Sequence, residues 1–232
     1  MVMRPTSPNI RAVVFDLDDT IYPERDYVLS GYAAISRYLA DKLRRRDRFD
    51  DWLAQRFLAG RTAGAFDALN EHFKLGLESE QIQELVAIYR GHLPIIHPHG
   101  GMIEFLGRLR ERFALGLLSD GFLPAQSLKV QALRIERFFD AILFTQEYGP
   151  EAWKPCLKCF EIIAGKLGAP NEQCAYVGDN PAKDFVAANA LGWLSIQFCR
   201  TGQVHSHKPA PPGGEPAVIV RDLEELHKAL RQ

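Results

Sequence analysis

The sequence predicts an α/β protein in which a doubly wound parallel sheet carries a small all-helical domain. Short apolar runs of β-type residues alternate with longer segments of helical spacing, which is the pattern of βαβ units. Four of these runs end abruptly in polar residues. The segment after the first run contains no convincing strand and is far longer than an ordinary connection, which predicts an inserted domain.

The strands are predicted from apolar runs bounded by turn residues. The four runs that end in polar groups are Val13–Phe15, Phe113–Leu118, Ala141–Thr145 and Ala175–Val177, and two further strands are predicted at Trp193–Phe198 and Ala217–Val220. Helices are expected at Cys156–Leu167 and at Asp222–Leu230, the second from leucines at helical spacing. Between the last two strands, Lys208–Pro216 is rich in proline and glycine and predicts an exposed, mobile loop.

The first strand leads directly into three carboxylates, Asp16, Asp18 and Asp19. In an extended chain residues i and i+2 project to the same side, so Asp16 and Asp18 should leave the strand together with Asp19 turned away. Two adjacent carboxylates raise the pKa of one of them unless a divalent cation or a lysine lies between them. An Asp-rich helix cap or turn is the alternative, but ligands of α/β sheets bind at such strand ends.

The other strand ends supply matching groups. Ser119-Asp120-Gly121 follows the second strand and offers a hydroxyl and backbone N–H groups suited to a phosphoryl oxygen. Lys154-Pro155 follows the third strand, and Gly178-Asp179 with Asp184 follows the fourth. Each motif alone is typical of a turn, a helix start or a loop. Their occurrence in one order at four strand ends favours a common site.

This combination resembles the haloacid dehalogenase (HAD) superfamily over about Arg11 to Phe198, which implies a Rossmann-like core. By that resemblance, Asp16 is the nucleophile that forms an aspartyl-phosphate, and Asp18 is the general acid/base. Ser119 and Lys154 are then expected to act on the phosphate, and Asp120 and Gly121 are expected to help bind it.

The resemblance also implies a Mg²⁺ cofactor. Its expected ligands are Asp16, Asp179 and the backbone carbonyl of Asp18, and hard carboxylate oxygens are ligands that Mg²⁺ prefers. Asp184 is expected to orient Lys154 or a metal-bound water. The Thr20 hydroxyl is expected to secure the loop after the first strand, with a direct role as the alternative.

The acid two residues after the nucleophile decides between reactions in this superfamily. Dehalogenating relatives lack it and phosphonate-cleaving relatives have a small residue there, so Asp18 favours a phosphatase that acts on a small phosphorylated metabolite. A sugar phosphomutase of the same superfamily would share all four motifs. A receiver-type signalling domain groups similar residues but is shorter, and a binding or regulatory relative without turnover is a further alternative.

The inserted segment is predicted to contain about four helices, Tyr27–Leu43, Phe49–Leu58, Ala63–Phe73 and Glu80–Tyr89. It resembles the helical C1-type cap, which gives a core domain of residues 1–21 and 94–232 and a cap domain of residues 22–93. Such a lid would exclude water and contact the leaving group. Tyr22, Glu24 and Arg25 are close enough to the nucleophile loop to reach a substrate, but they could equally form the hinge.

Composition agrees with a cytoplasmic enzyme. The chain has 232 residues, 47% of them hydrophobic, and a net charge of −1, which gives no general attraction to nucleic acid. Its four cysteines are too scattered for a disulfide framework. No apolar stretch approaches ~18 residues, and Met1–Pro8 lacks the apolar core of a signal peptide. We therefore expect a monomer or homodimer without membrane or nucleic-acid partners, in which the arginine-rich run Arg44–Arg48 is a solvated face.

Overall fold

A single parallel sheet brings the polar strand ends together. The computed structural model describes residues 9–231, so the prediction about Met1–Pro8 lies outside the described residues. Within this range the strands are β1 (Ala12–Phe15), β2 (Ala114–Ser119), β3 (Ala141–Phe144), β4 (Cys174–Gly178), β5 (Leu194–Phe198) and β6 (Val218–Val220). They form one sheet in the order β3-β2-β1-β4-β5-β6, and each neighbouring pair is parallel. The predicted α/β class is confirmed.

The six helices whose bounds were predicted begin and end within a few residues of those bounds. The helices are α1 (Glu24–Leu43), α2 (Phe49–Leu58), α3 (Ala65–Phe73), α4 (Ser79–Gly91), α5 (Met102–Arg110), α6 (Ala125–Leu133), α7 (Leu157–Leu167), α8 (Phe185–Ala190) and α9 (Leu223–Ala229). Of these, α5, α6 and α8 are additional to the predicted helices. Cys156 and Asp222, predicted as first helical residues, are N-caps, and the Asp222 carboxylate accepts a hydrogen bond from the Glu225 N–H. The helix predicted from Ala63 begins two residues later because Gly64 is left-handed.

Burial of the central strand explains its continuous apolar sequence. All four residues of β1 are fully buried, and since neighbouring side chains point to opposite faces, both faces of the sheet are covered there. On one face Val14 packs with Phe160 and Ile163 of α7. Burial of each such large side chain contributes about 1.5–3 kcal/mol. The helix packs closely because β2 carries Gly116, where a Cβ atom would lie only 2.9 Å from Ile163 Cδ1.

The chain divides into two compact units. One contains residues 9–24, His97–Gly121 and residues 133–231, and it holds the whole sheet. The other contains Arg25–Ile96 and Phe122–Ala132, so it includes α1 to α4 and most of α6. This helical unit has its own core, in which Ile35, Leu39 and Leu53 are fully buried.

Two surface features of the described chain bear on the sequence predictions. Residues 208–216 are mostly exposed, as predicted. They are nevertheless anchored, because the Asn189 side chain donates hydrogen bonds of 2.8 Å to the carbonyls of Gly213 and Glu215. Among the helices of residues 9–231, none combines the length and apolar character that a membrane crossing requires.

Candidate active site

The three carboxylates of the loop after β1 have different surroundings. The backbone N–H of Asp16 donates to the carbonyl of Val177, which continues the pairing of β1 with β4 by one residue, and the Asp16 side chain is buried. Asp18 is half-buried and accepts a hydrogen bond from the hydroxyl of Tyr22. Asp19 has a φ of 55°, a left-handed conformation that turns its side chain away from the other two. The expected divergence of Asp19 is therefore present.

Lys154 lies in the middle of the acids. Its ammonium donates to Asp16 Oδ1 at 2.5 Å, to Asp184 Oδ1 at 2.8 Å and to the Tyr176 hydroxyl at 2.8 Å. The side chain of Lys154 is completely buried. Burial disfavours its charge, but the carboxylates of Asp16 and Asp184 outweigh that effect and hold the pKa of Lys154 well above its usual range. Lys154 therefore stays protonated and fixes the orientation of Asp16.

Three buried carboxylates form a cluster beside this lysine. One oxygen from each of Asp16, Asp179 and Asp184 lies within 4.8 Å of the others. Burial raises the pKa of Asp179 to about 10, with further increases from Asp184 and Asp16. Burial also raises the pKa of Asp16 to about 7, an increase that Lys154 reduces. The lysine alone therefore leaves the carboxylate charges incompletely offset.

The cluster fits a hard divalent cation. The second oxygen of Asp179 is buried and has no hydrogen-bond partner among the described residues, which is costly for a carboxylate unless a cation binds it. Oxygen-only donor sets of this kind suit Mg²⁺. The sequence prediction named Asp16, Asp179 and the carbonyl of Asp18, and the structure brings Asp184 to the same place.

Asp184 has two contacts that fix its carboxylate. One oxygen accepts from Lys154, as the sequence analysis expected, and the other accepts from the backbone N–H of Asn180 at 2.9 Å. The residue is fully buried at the start of α8. Gly178 makes the close approach possible, because a Cβ atom at that position would lie 2.6 Å from Asp184 Oδ2.

The segment after β2 forms the opposite side of the site. Ser119 ends the strand and is buried, and Gly121 has a φ of 134°, which favours glycine. Asp120 Oδ1 accepts from the Thr145 hydroxyl at 2.9 Å and from the backbone N–H of Lys154 at 3.1 Å. Asp120 therefore positions the segment that carries Lys154.

The other oxygen of Asp120 faces a second lysine. Lys183 Nζ lies 3.3 Å from Asp120 Oδ2, and the lysine side chain is 34% exposed. Burial raises the pKa of Asp120, but Lys154 and Lys183 outweigh it and lower the net value below the usual range. Asp120 is therefore an ionised carboxylate held by two cations.

Asp19 connects the loop after β1 to the segment after β5. Its carboxylate accepts from the backbone N–H groups of Glu24 at 2.8 Å and Val204 at 2.6 Å. Its carbonyl accepts from the side-chain amide of Gln203 at 2.7 Å. The expectation that the Thr20 hydroxyl secures this loop is wrong, because Thr20 Oγ1 is buried without a hydrogen-bond partner in the described part of the chain. The hydrogen bonds that the oxygens of Asp19 accept hold the loop in place.

Several residues of the site were missed by the sequence analysis. Tyr176 and Thr145 belong to apolar strand runs, so no local signal distinguishes them from core residues. Lys183 directly precedes Asp184 in the Gly178–Asp184 motif, and that position was the available signal. Gln203 lies in a segment for which no role was predicted.

Other residues singled out in the sequence are buried or form ion pairs. Tyr22 is fully buried, and Glu24 Oε2 lies 3.5 Å from His205 Nε2. Within the arginine-rich run of the helical unit, Arg45 pairs with Asp47 at 2.6 Å, and Arg48 also has an aspartate partner. These ion pairs agree with a solvated charged face.

Comparison with known proteins identifies relatives that are hydrolases. The family model for haloacid dehalogenase-like hydrolases matches residues 10–192. A glyceraldehyde 3-phosphate phosphatase of Methanopyrus kandleri is 27% identical over 231 residues, covering 96% of this chain and 98% of the relative. Pyrophosphatase PpaX of Halalkalibacterium halodurans is 26% identical over 178 residues, covering 74% of this chain and 75% of the relative.

A solved structure shares the fold across nearly the whole length. The magnesium-bound HAD-hydrolase YfnB of Bacillus subtilis superposes with a TM-score of 0.67 at 20% identity, covering 97% of this chain and 100% of that chain. At this identity the likeness concerns the fold. With the family model matching most of its length and the four motifs gathered at one sheet edge, the chain belongs to the haloacid dehalogenase-like hydrolase family.

Proposed function

We propose that the protein is a Mg²⁺-dependent phosphatase that hydrolyses a phosphate monoester of a small metabolite through an aspartyl-phosphate. The observation that carries the proposal is Asp16, a buried carboxylate held by Lys154 beside Asp179 and Asp184, with a second acid two residues further along the chain. The names of the relatives, a glyceraldehyde 3-phosphate phosphatase and a pyrophosphatase, support phosphate chemistry.

The proposed reaction has two steps. A carboxylate oxygen of Asp16 attacks phosphorus, and the bond from phosphorus to the leaving oxygen breaks as Asp18 donates a proton to that oxygen. In the second step a water gives a proton back to Asp18 and attacks phosphorus, which releases inorganic phosphate and restores Asp16. Splitting the hydrolysis in this way replaces one difficult step with two easier ones.

The surrounding residues orient these two acids. Lys154 fixes one oxygen of Asp16 and offsets its charge, so the other oxygen is the one proposed to attack. The Tyr22 hydroxyl holds Asp18 on the half-exposed side of the loop, where a leaving group can reach it. Ser119 and the N–H groups around Gly121 are proposed to bind phosphoryl oxygens.

Mg²⁺ would be held by Asp16 and Asp179, with the Asp18 carbonyl and Asp184 as the further candidates. When bound, the cation supplies positive charge that offsets the carboxylates and the phosphoryl oxygens. The buried oxygen of Asp179 that lacks a partner in the described residues supports this assignment.

We also propose that the helical unit is the lid of the enzyme. The chain enters it at Arg25, soon after the loop that carries Asp16 and Asp18, and leaves it at Ile96. An insertion at this place is suited to contacting the leaving group and to limiting the access of water. The bounds of the helical unit overlap those of the cap predicted from the sequence, residues 22–93, although Tyr22 and Glu24 lie in the unit that holds the sheet.

The test is phosphate release from a panel of phosphorylated metabolites, with glyceraldehyde 3-phosphate among them, in the presence and absence of Mg²⁺. Wild type is compared with Asp16→Asn and with Asp41→Asn, a matched control at an exposed acid of α1. We expect turnover that requires Mg²⁺, is lost in Asp16→Asn and is unchanged in Asp41→Asn. Turnover that persists in Asp16→Asn would contradict the proposed nucleophile.

A second variant tests the proposed acid/base. Asp18→Asn should slow turnover by about 10²–10⁴-fold, because an amide cannot exchange the proton. If the second step is the slower one in this variant, an acyl phosphate accumulates, and hydroxylamine traps it. Normal turnover in Asp18→Asn would exclude the role.

A further inference from the structure

All three ammonium donors of Lys154 have protein acceptors. An ammonium group has three N–H donors, and those of Lys154 are directed at Asp16, Asp184 and Tyr176. Its side chain is completely buried, so a phosphoryl oxygen could bind it only if one of these contacts broke. A second cation at the site would therefore add to what Lys154 can offer the phosphate.

Lys183 differs from Lys154 in its exposure and in the length of its ion-pair contact. Its ammonium is 3.3 Å from Asp120 Oδ2, longer than the roughly 2.7–2.9 Å of a strong charge-assisted hydrogen bond, and its side chain is 34% exposed. The Lys183 side chain is therefore more accessible than that of Lys154, and its contact with Asp120 is longer than those of Lys154 with its two carboxylates.

Asp120 does not depend on Lys183 for its position. Its other oxygen accepts from the Thr145 hydroxyl and from the backbone N–H of Lys154. If Lys183 turned towards a phosphate, Asp120 would keep these two hydrogen bonds and would remain in place. The pair can therefore open without disturbing the segment that carries Lys154.

Lys183 is also fixed in place along the backbone. It belongs to the short segment between Asp179 and Asp184, and its backbone N–H donates to the carbonyl of Asn180 at 3.2 Å. The ammonium is thus attached to the same rigid turn that positions the candidate cation ligands.

We propose that Lys183 is a substrate-contacting cation of this site, which donates to an oxygen of the phosphoryl group of the substrate and of the inorganic phosphate product. This inference rests on the proposed phosphatase function. Lys183 would act beside Lys154, which also orients Asp16. Asp120 holds Lys183 at the site before the phosphate binds.

The experiment measures the affinity of inorganic phosphate by calorimetry in the presence of Mg²⁺, together with KM and kcat for a substrate found in the panel. The variants are Lys183→Gln, which can still donate to Asp120, and Lys183→Arg, which keeps the charge. Lys166→Gln is the matched control, an exposed lysine in the last turn of α7. Thermal unfolding of each variant verifies that it is folded.

Loss of a charge-assisted contact should weaken phosphate binding about tenfold or more in Lys183→Gln. We expect Lys183→Arg to recover most of the affinity and Lys166→Gln to equal wild type. Phosphate affinity, KM and kcat of a folded Lys183→Gln within twofold of wild type would overturn the inference. Should Lys183→Gln not fold, an unchanged phosphate affinity in Lys183→Met would overturn it equally.

The outcomes separate this inference from the proposed function. Phosphate binding that depends on Lys183 in a protein that hydrolyses no ester would support the role of Lys183 and contradict the phosphatase proposal. Mg²⁺-dependent turnover that is unchanged in Lys183→Gln would support the phosphatase proposal and contradict the role of Lys183. A wild-type protein that neither binds phosphate nor releases it would overturn both.

Discussion

Replacement of Gly178 by alanine should damage the site without adding or removing any charge. The new Cβ atom would lie 2.6 Å from Asp184 Oδ2 and 2.9 Å from its Cγ. The carboxylate cannot move aside freely, because it is fully buried and bonded to Lys154 and to the N–H of Asn180. Relief of the overlap must therefore break a contact or displace the turn after β4.

The magnitude follows from these two effects. Overpacking of a buried position costs about 1–3 kcal/mol, and a weakened hydrogen bond to a charged group adds about 1–2 kcal/mol. Together they predict a loss of about 2–5 kcal/mol, which in a chain of this size lowers the Tm by about 4–20 °C. A displacement of about 1 Å at Asp184 would also misplace Lys154 and lower kcat about 100-fold.

The assay pairs thermal unfolding with phosphate release, and Gly165→Ala is the matched control. Gly165 lies inside α7, and a Cβ atom there would have no atom within 4 Å. Alanine favours a helix interior over glycine by up to about 1 kcal/mol, so this variant should be as stable as wild type or slightly more stable. A Gly178→Ala protein with the Tm and kcat of wild type would refute the reasoning.

Three further predictions concern single contacts. Tyr176→Phe removes an acceptor from buried Lys154 and should lower the unfolding free energy by about 1–3 kcal/mol in urea titrations; an unchanged value would show that the hydroxyl is dispensable. Burial first, and then Arg200, lower the pKa of His99 to about 4. Since the unfolded chain binds this proton more tightly, stability present above about pH 6.5 is lost as the pH falls towards about 4. Between about pH 6.5 and 4 the unfolding free energy of His99→Gln should fall by about 1–2 kcal/mol less than that of wild type, a figure that allows for the partial exposure of His99. Equal pH profiles of the unfolding free energy in the two proteins would exclude the effect. Asp179→Asn should weaken Mg²⁺ binding at least about tenfold by calorimetry, and unaltered binding would remove it from the ligand set.

The sheet and the acids at its edge could be predicted because their signals are local. An apolar run of β-type residues that stops at a carboxylate identifies both a strand and its end, as at Phe15 and Asp16. Parallel strands bring their carboxyl ends to one edge, so residues as distant in sequence as Asp16 and Lys154 were expected together. Their ammonium–carboxylate distance of 2.5 Å is consistent with that expectation.

The polar partners inside the strands could not be predicted in the same way. Tyr176 occurs in an apolar run, where a buried aromatic residue is expected to pack in the core, and it does contact Phe160. Its hydroxyl reaches Lys154 only because β4 lies beside β1 in the sheet. Strand order depends on the whole chain, so the role of this hydroxyl is a tertiary property.

The three neighbouring acids after β1 show most clearly how surroundings decide function. Asp16, Asp18 and Asp19 are chemically alike, yet the first is bonded to a lysine, the second to a tyrosine hydroxyl and the third to backbone N–H groups. In the proposed mechanism Lys154 orients Asp16 for attack, whereas Asp18, whose carboxylate accepts from the Tyr22 hydroxyl, exchanges a proton. Asp19 is bonded to Val204, which follows β5. That contact joins distant parts of the sequence and ties the loop that carries the other two acids to the segment after β5.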